Sequence, residues 1–158
     1  MFTLDGVQKF HDWTHSSLSR MLDHIATLPE GSYHTKLNGF GFATIGEQVL
    51  HIFQCETNWI HRAQAIPFDG LSISEYPAIR DARVLQGKVR SETSAYLSGL
   101  TEQQLNEEIT LRSYDGFEIT CTPAHVIHHV LTHAFHHKGQ IVSMCRMLGH
   151  PAPDTDVL

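Results

Sequence analysis

The chain is poor in cysteine, and its cysteines are scattered. Among 158 residues there are three, Cys55, Cys121 and Cys145, and none of them belongs to a Cys-x-x-Cys pair. An odd, scattered set of this kind is typical of reduced thiols. We therefore expect a cytoplasmic protein.

The chain also lacks basic clusters, long apolar runs and repeats. Its formal net charge is −6 and its lysines and arginines are dispersed, which argues against electrostatic binding of nucleic acid. The N-terminus has no basic region followed by a long apolar run, so we predict neither a signal peptide nor a membrane span. Gly39-Phe40-Gly41 has no lysine and no preceding strand, and so does not predict a phosphate-binding loop. With no internal repeat, residues 1–158 are predicted to form a single domain with a sizeable core.

Apolar residues recur at helical spacing in four long segments. In the first segment they follow one another at steps of three to five residues. The positions are Val7, Phe10, Trp13, Leu18, Met21, Leu22, Ile25 and Leu28. The third segment holds no histidine and is interpreted as a structural wall. The predicted helices are residues 2–28, 44–65, 77–98 and 123–148.

Local signals mark the ends of these helices and one change of period. Thr44 and Glu47 form a capping-box pattern, and Thr122 before Pro123 is a favourable N-terminus for the last helix. Residues 106–121 alternate apolar and polar side chains around Asp115-Gly116, which predicts a β-hairpin. The glycine-rich connection 31–43 is too apolar for a free linker and is expected to pack over one end of the helices. The C-terminal tail from Pro151 is expected to be extended.

Six of the thirteen histidines lie in the last helix, and three of them share its apolar face. At about 100° per residue, His137 and His129 lie about 40° to either side of His133, and Gln140 lies about 20° away. Val126 is on the same side of the helix, so this face should be buried. Two imidazoles four residues apart can turn towards one metal ion. The other three histidines are His125, His128 and His136.

The second helix carries a polar cluster centred on His51. Glu47 and Cys55 lie about 40° to either side of His51, and Asn58 lies about 20° away. This set is either a solvated stripe or a metal ligand with its supporting residues, and His51 alone does not decide. A further pair, His11 and His15 in the first helix, is accompanied by no other ligand feature. Those two are expected to face the bundle mouth or water rather than a metal.

These patterns together resemble a known family. The lone histidine of the second helix, His51, is followed in the last helix by His133-x-x-x-His137 and then Lys138-Gly-Gln. This arrangement is similar to that of the DinB-like family of four-helix-bundle proteins, the DinB/YfiT-like metalloenzymes. The resemblance covers nearly the whole chain. It implies an all-α, antiparallel four-helix bundle with a small hairpin before the last helix.

The resemblance also implies a metal site and a range of functions. Its ligands on this sequence would be His51, His133 and His137. The family often has arginine at the position of Lys138, and lysine lacks the planar fork that would make an anion clamp. The family includes thiol-dependent transferases, a mycothiol-dependent isomerase and many members with no known reaction, and it is often dimeric. A homodimer is therefore expected.

Three neutral imidazoles would leave a divalent ion with open positions for water or substrate. Nitrogen ligands suit Zn, Ni or Fe, so the sequence does not select the metal. One hypothesis is an enzyme that acts on a small molecule, either a hydrolase or a thiol S-transferase. The transferase would use a low-molecular-weight thiol. The other is a non-catalytic metal-binding dimer for sequestration or partner binding. Candidates to support the ligands are Glu47, Cys55, Asn58 and Gln140.

Overall fold

A computed structural model describes residues 1–112 and 116–157. Within them the chain forms four long α-helices, one short α-helix, one 3-10 helix at Ser32–His34 and one antiparallel hairpin, which confirms the predicted four-helix bundle. The short helix, α4, was not predicted. The bounds are α1 Leu4–Ile25, α2 Ile45–Ala63, α3 Ile79–Ser98, α4 Glu102–Asn106, β1 Ile109–Arg112, β2 Glu118–Cys121 and α5 Pro123–Met147.

Side-chain caps begin the helices that carry histidines. The Thr44 hydroxyl accepts from the Glu47 backbone N–H at 3.1 Å, and the Glu47 carboxylate accepts from the Thr44 N–H at 2.9 Å. This confirms the predicted capping box of α2. α1 is shorter than predicted, and its Trp13 is 53% exposed rather than inward. Trp13 lies about 120° from Val7 around the helix, which places it outside the buried stripe.

A layer of buried polar residues separates two apolar clusters in the bundle. Along α1, Leu18 belongs to the first apolar cluster and Val7 to the second, and buried polar side chains lie between them. α2 and α3 begin in the first cluster and end in the second. The buried polar residues Glu56 of α2 and Thr93 of α3 lie where each helix passes from one cluster to the other. The histidine-rich stretch of α5 crosses the same boundary. The polar chemistry of this protein is therefore concentrated at mid-height in the bundle.

The connection between α1 and α2 packs against the bundle, as expected from its apolar content. Leu37 and Phe40 pack on the first apolar cluster. The ring of Phe42 stacks on the His51 imidazole with centroids 4.1 Å apart. This loop therefore covers one side of the histidine cluster that α2 and α5 share.

The hairpin precedes α5 as predicted. Ile109 pairs with Cys121 and Leu111 with Ile119, and Leu111 is buried in the second apolar cluster. Gly116 has a left-handed backbone (φ +84°), whereas Asp115 of the predicted turn lies outside the described residues. None of the described helices is long and apolar enough to cross a membrane.

Removing the cap of α5 should lower stability. Thr122→Ala deletes the hydroxyl that accepts from the His125 N–H at 3.2 Å. We expect the free energy of unfolding in urea to fall by about 1 kcal/mol. Thr132→Ala is the matched control, because Thr132 is an exposed mid-helix residue of α5 and alanine is the better helix former there. Equal losses in the two variants would contradict a capping role.

Candidate metal centre

Three imidazoles converge between α2 and α5. The Nε2 atom of His133 lies 3.1 Å from Nε2 of His51 and 3.1 Å from Nε2 of His137. One ligand atom from each residue lies within 4.8 Å of the others. Nitrogens bound to one tetrahedral zinc ion, with bonds of about 2.0–2.1 Å, lie about 3.3 Å apart. The spacing of these three atoms therefore fits a single small divalent ion.

The histidines of α5 become more buried along the helix. His129 is exposed, His133 is half-buried and His137 is 7% exposed. The expectation that all three share a buried face is wrong for His129, whose ring instead makes a T-shaped contact with Trp59, with ring centroids 5.1 Å apart. His129 lies one turn before His133 and lines the same pocket as His133. The site therefore opens to solvent at its His129 end.

Burial keeps these imidazoles neutral. It lowers the pKa of His51, and burial together with His137 and His51 lowers the pKa of His133 to about 3. Burial and the neighbouring His51 and His136 lower the pKa of His137 to about 4. Near pH 7 the rings therefore carry lone pairs rather than charges, and a lone pair is what a metal ligand needs.

The same shifts predict the acid sensitivity of the metal-free protein. The folded pKa values of His133 and His137 lie below the unfolded value of about 6.5, so between those values the unfolded chain binds more protons. Stability should therefore fall as pH drops from about 6.5 towards 4. Replacing both residues with alanine should flatten this part of the profile, measured by urea unfolding in chelator. An unchanged slope would contradict the neutral state.

A chain of hydrogen bonds fixes the tautomer of His137. Gln48 Nε2 donates to the Phe42 carbonyl at 2.9 Å and to Gln140 Oε1 at 2.8 Å, so both amide protons are used. Gln48 Oε1 must then accept from His137 Nδ1, which lies 2.6 Å away. The proton of His137 is therefore on Nδ1, and its Nε2 lone pair points towards His133. The chain continues from Gln140 Nε2 to His136 at 2.7 Å.

Gln48 is a supporting residue that the helical pattern did not single out. It lies about 60° from His51 on α2, outside the range of about 40° that holds the selected candidates Glu47, Cys55 and Asn58. The feature that marks this residue is an amide side chain at a fully buried position. That burial is known only once the packing of α2 against α5 is known. By contrast, His133 Nδ1 is buried and has no hydrogen-bond partner in the described ranges.

The other candidates occupy different places. The Glu47 carboxylate is used by the cap of α2, as described above. Cys55 and Asn58 line a pocket of about 470 Å³ beside the three imidazoles, and Gln140 belongs to the hydrogen-bond chain. Burial raises the pKa of Cys55 to about 12, so it is a thiol and not a thiolate. The pocket residues are His51, Gln54, Cys55, Asn58, Trp59, His129 and His133.

Lys138 faces away from this site. Its Nζ donates to Ser17 Oγ at 3.0 Å and to the Thr155 carbonyl at 2.7 Å. These bonds join α5 to α1 and to the C-terminal tail. Lys138 is 6% exposed and points into the bundle on the opposite side of the helix from the histidine cluster. An anion-clamp role at the metal site therefore has no support in the position of this residue.

A second cluster of ligand-type side chains lies in the polar layer. His11 Nε2 is 2.9 Å from Glu56 Oε1, and His15 Nε2 is 3.1 Å from Glu56 Oε2. Thr93 of α3 donates to Glu56 Oε1 at 2.7 Å. Burial opposes ionisation of Glu56, but the hydrogen bonds from His11 and His15 outweigh it and hold the pKa of this carboxyl well below its usual range. The expectation that His11 and His15 face water or the bundle mouth is therefore wrong.

The angular positions explain why this cluster was missed. Glu56 lies about 140° from His51 around α2, so the two face different neighbours. α3, interpreted from sequence as a structural wall, contributes Thr93 to this cluster. A buried i, i+4 histidine pair in α1 was the only signal, and it gave no indication of the partner on α2.

Comparison with known proteins agrees with this architecture. The sequence model of the DinB family matches residues 1–158. The chain belongs to the DinB family. Among relatives, Protein DinB of Bacillus subtilis (strain 168) is 21% identical over 169 residues, covering 96% of this chain and 91% of that protein. The protein YjoA of the same organism is 26% identical over 140 residues, covering 89% and 88%.

Solved structures share the fold. YfiT from Bacillus subtilis, described as a probable metal-dependent hydrolase with an unusual four-helix bundle topology, matches with a TM-score of 0.70 at 16% identity. The match covers 95% of this chain and 91% of YfiT. The DinB-like protein YjoA matches with a TM-score of 0.62 at 22% identity, covering 94% and 98%. At these identities the likeness shows the fold.

Proposed function

We propose that this DinB-family chain is a metal-dependent enzyme, a hydrolase acting on a small molecule. His51, His133 and His137 would hold one divalent ion, with Zn, Ni and Fe as the candidates. The observation that carries the proposal is the convergence of three Nε2 atoms beside a pocket that His51 and His133 line. The description of YfiT as a probable metal-dependent hydrolase supports the reaction type.

The residues around the site have separable tasks in this proposal. A bound ion would act as a Lewis acid, bringing the pKa of a bound water to about 7 or binding a thiol as thiolate. Gln48 holds the His137 ring so that Nε2 points inwards, and Phe42 packs flat against the His51 ring. Trp59 and His129 line the pocket where a substrate would sit.

The alternatives are a thiol S-transferase and a non-catalytic metal-binding dimer. A fourth protein ligand such as Glu47 would close the site and favour sequestration. The Glu47 carboxylate is instead part of the α2 cap, and a pocket lies beside His51 and His133, which supports an enzyme. We propose a single cytoplasmic domain that forms a homodimer, for which a solution mass by light scattering is the test.

The test of function uses protein stripped by chelator and reloaded separately with Zn²⁺, Ni²⁺ or Fe²⁺. Each form is assayed on a panel of chromogenic esters, lactones and amides, with and without a low-molecular-weight thiol. Turnover restored by one metal and absent from His51→Ala supports a hydrolase, and turnover that requires thiol supports the transferase. A fully loaded protein with no turnover on any substrate would favour the non-catalytic alternative.

Gln48→Leu should weaken metal binding without unfolding the chain. Leucine fills a similar volume but cannot accept from His137 Nδ1, so the ring loses its fixed tautomer and orientation. Loss of such a partner costs about 10–100-fold in metal affinity. The measurement is competition with a chromophoric chelator. Gln54→Leu is the control on the same helix, because Gln54 accepts from the Leu71 N–H and not from a histidine. Equal affinities for the two variants would contradict the role of Gln48.

A further inference from the structure

The buried cluster of His11, His15 and Glu56 has the donor set of a second metal site. Their side chains come from α1 and α2 and are 1%, 0% and 2% exposed. Thr93 of α3 lies beside them and is 1% exposed. Two imidazole nitrogens and a carboxylate are ligands suited to Zn²⁺ and Fe²⁺. Helix bundles build metal sites in this way, from side chains that project inwards from facing helices.

The distances within this cluster are close to those that an ion requires. His11 Nε2 lies 2.9 Å from Glu56 Oε1, and His15 Nε2 lies 3.2 and 3.1 Å from the two carboxylate oxygens. Ligand atoms around a tetrahedral zinc ion are about 3.3 Å apart. An outward shift of a few tenths of an ångström would therefore admit the ion, and all three side chains already point to one place.

The charge of the cluster favours a bound cation. The groups that hydrogen-bond to the Glu56 carboxylate in the described part of the chain are those of His11, His15 and Thr93. None carries a fixed positive charge, and a buried carboxylate without one is costly. A divalent ion bound by the two imidazoles and the carboxylate would supply that positive charge.

We propose that His11, His15 and Glu56 bind a second divalent ion, distinct from the ion of the three-histidine site. Its role is structural, because side chains this deeply buried leave no path for a substrate. The ion would tie α1 to α2 at mid-height in the bundle, and Thr93 would add a contact from α3. Since the site is closed in the folded chain, loading is expected during folding and only slowly afterwards.

The experiment removes the first site and asks whether metal remains. The His133→Ala/His137→Ala chain is refolded with Co²⁺ and dialysed, and metal per chain is measured together with the ligand-field absorption of Co²⁺. We expect one tightly held equivalent, which is lost when Glu56→Gln is added and kept when Thr93→Val is added. Glutamine preserves the shape of the side chain but removes its charge.

Two results would overturn the second site. One is a chain without His133 and His137 that refolds to wild-type helicity and holds no cobalt. The other is retention of the full equivalent after Glu56→Gln. If the doubly substituted chain does not refold, the same comparison is made in the otherwise unchanged protein. There Glu56→Gln should lower the cobalt content from two equivalents to one, and an unchanged content would equally refute the site.

Discussion

Replacing His51, His133 or His137 with alanine is expected to remove one full equivalent of tightly bound divalent metal per chain. Each change deletes one of three converging Nε2 atoms, and two remaining imidazoles hold an ion far more weakly. Metal content is measured after dialysis against a weak chelator. Because a second ion is proposed at Glu56, the comparison is made in the Glu56→Gln chain as well as in the wild type.

His128→Ala is the matched control for this prediction. His128 belongs to the same helix and is exposed, and it lies about 140° from the three-histidine face. All variants should remain helical by circular dichroism, since the two apolar clusters fold the bundle without an ion. Full metal content in the His51 and His133 variants, or its loss in the His128 variant alone, would show that the ion lies elsewhere.

The helices and the three converging histidines were within reach of the sequence because each rests on local rules. The capping box at Thr44 and the turn signals around the hairpin depend on neighbours within a few residues. The approach of His133 and His137 follows from helix geometry alone. The resemblance to the DinB-like family then supplied the partner on α2, His51, which angular arguments could not choose by themselves.

The site residues that could not be predicted from the sequence depend on packing between helices. Glu56 lies on the side of α2 away from His51, and only the position of α1 brings it to His11 and His15. Gln48 becomes a support for His137 only because α5 passes close to the start of α2. Both residues are polar and fully or almost fully buried, and single-helix periodicity assigns no partner to such a side chain.

Glu56→Ala should strongly destabilise the metal-free protein. The change removes the acceptor for three buried donors, those of His11, His15 and Thr93, and leaves a cavity. Breaking a buried charged network by deleting one member costs about 3–5 kcal/mol. The free energy of unfolding is measured by urea denaturation in chelator at pH 7, so that no bound ion contributes.

A control variant and the pH dependence distinguish loss of the buried network from loss of a carboxylate in general. Glu92→Ala removes a partly exposed carboxylate of α3 that lies 3.9 Å from His61 and 4.0 Å from Lys88, and such pairs contribute about 0–1 kcal/mol. Because the folded pKa of Glu56 is held below the unfolded value of about 4.3, its contribution is present above that pH and is lost as pH falls below it. The difference between wild type and Glu56→Ala should therefore shrink in acid. A loss at pH 7 no larger than that of Glu92→Ala would mean that the buried carboxylate does not hold α1, α2 and α3 together.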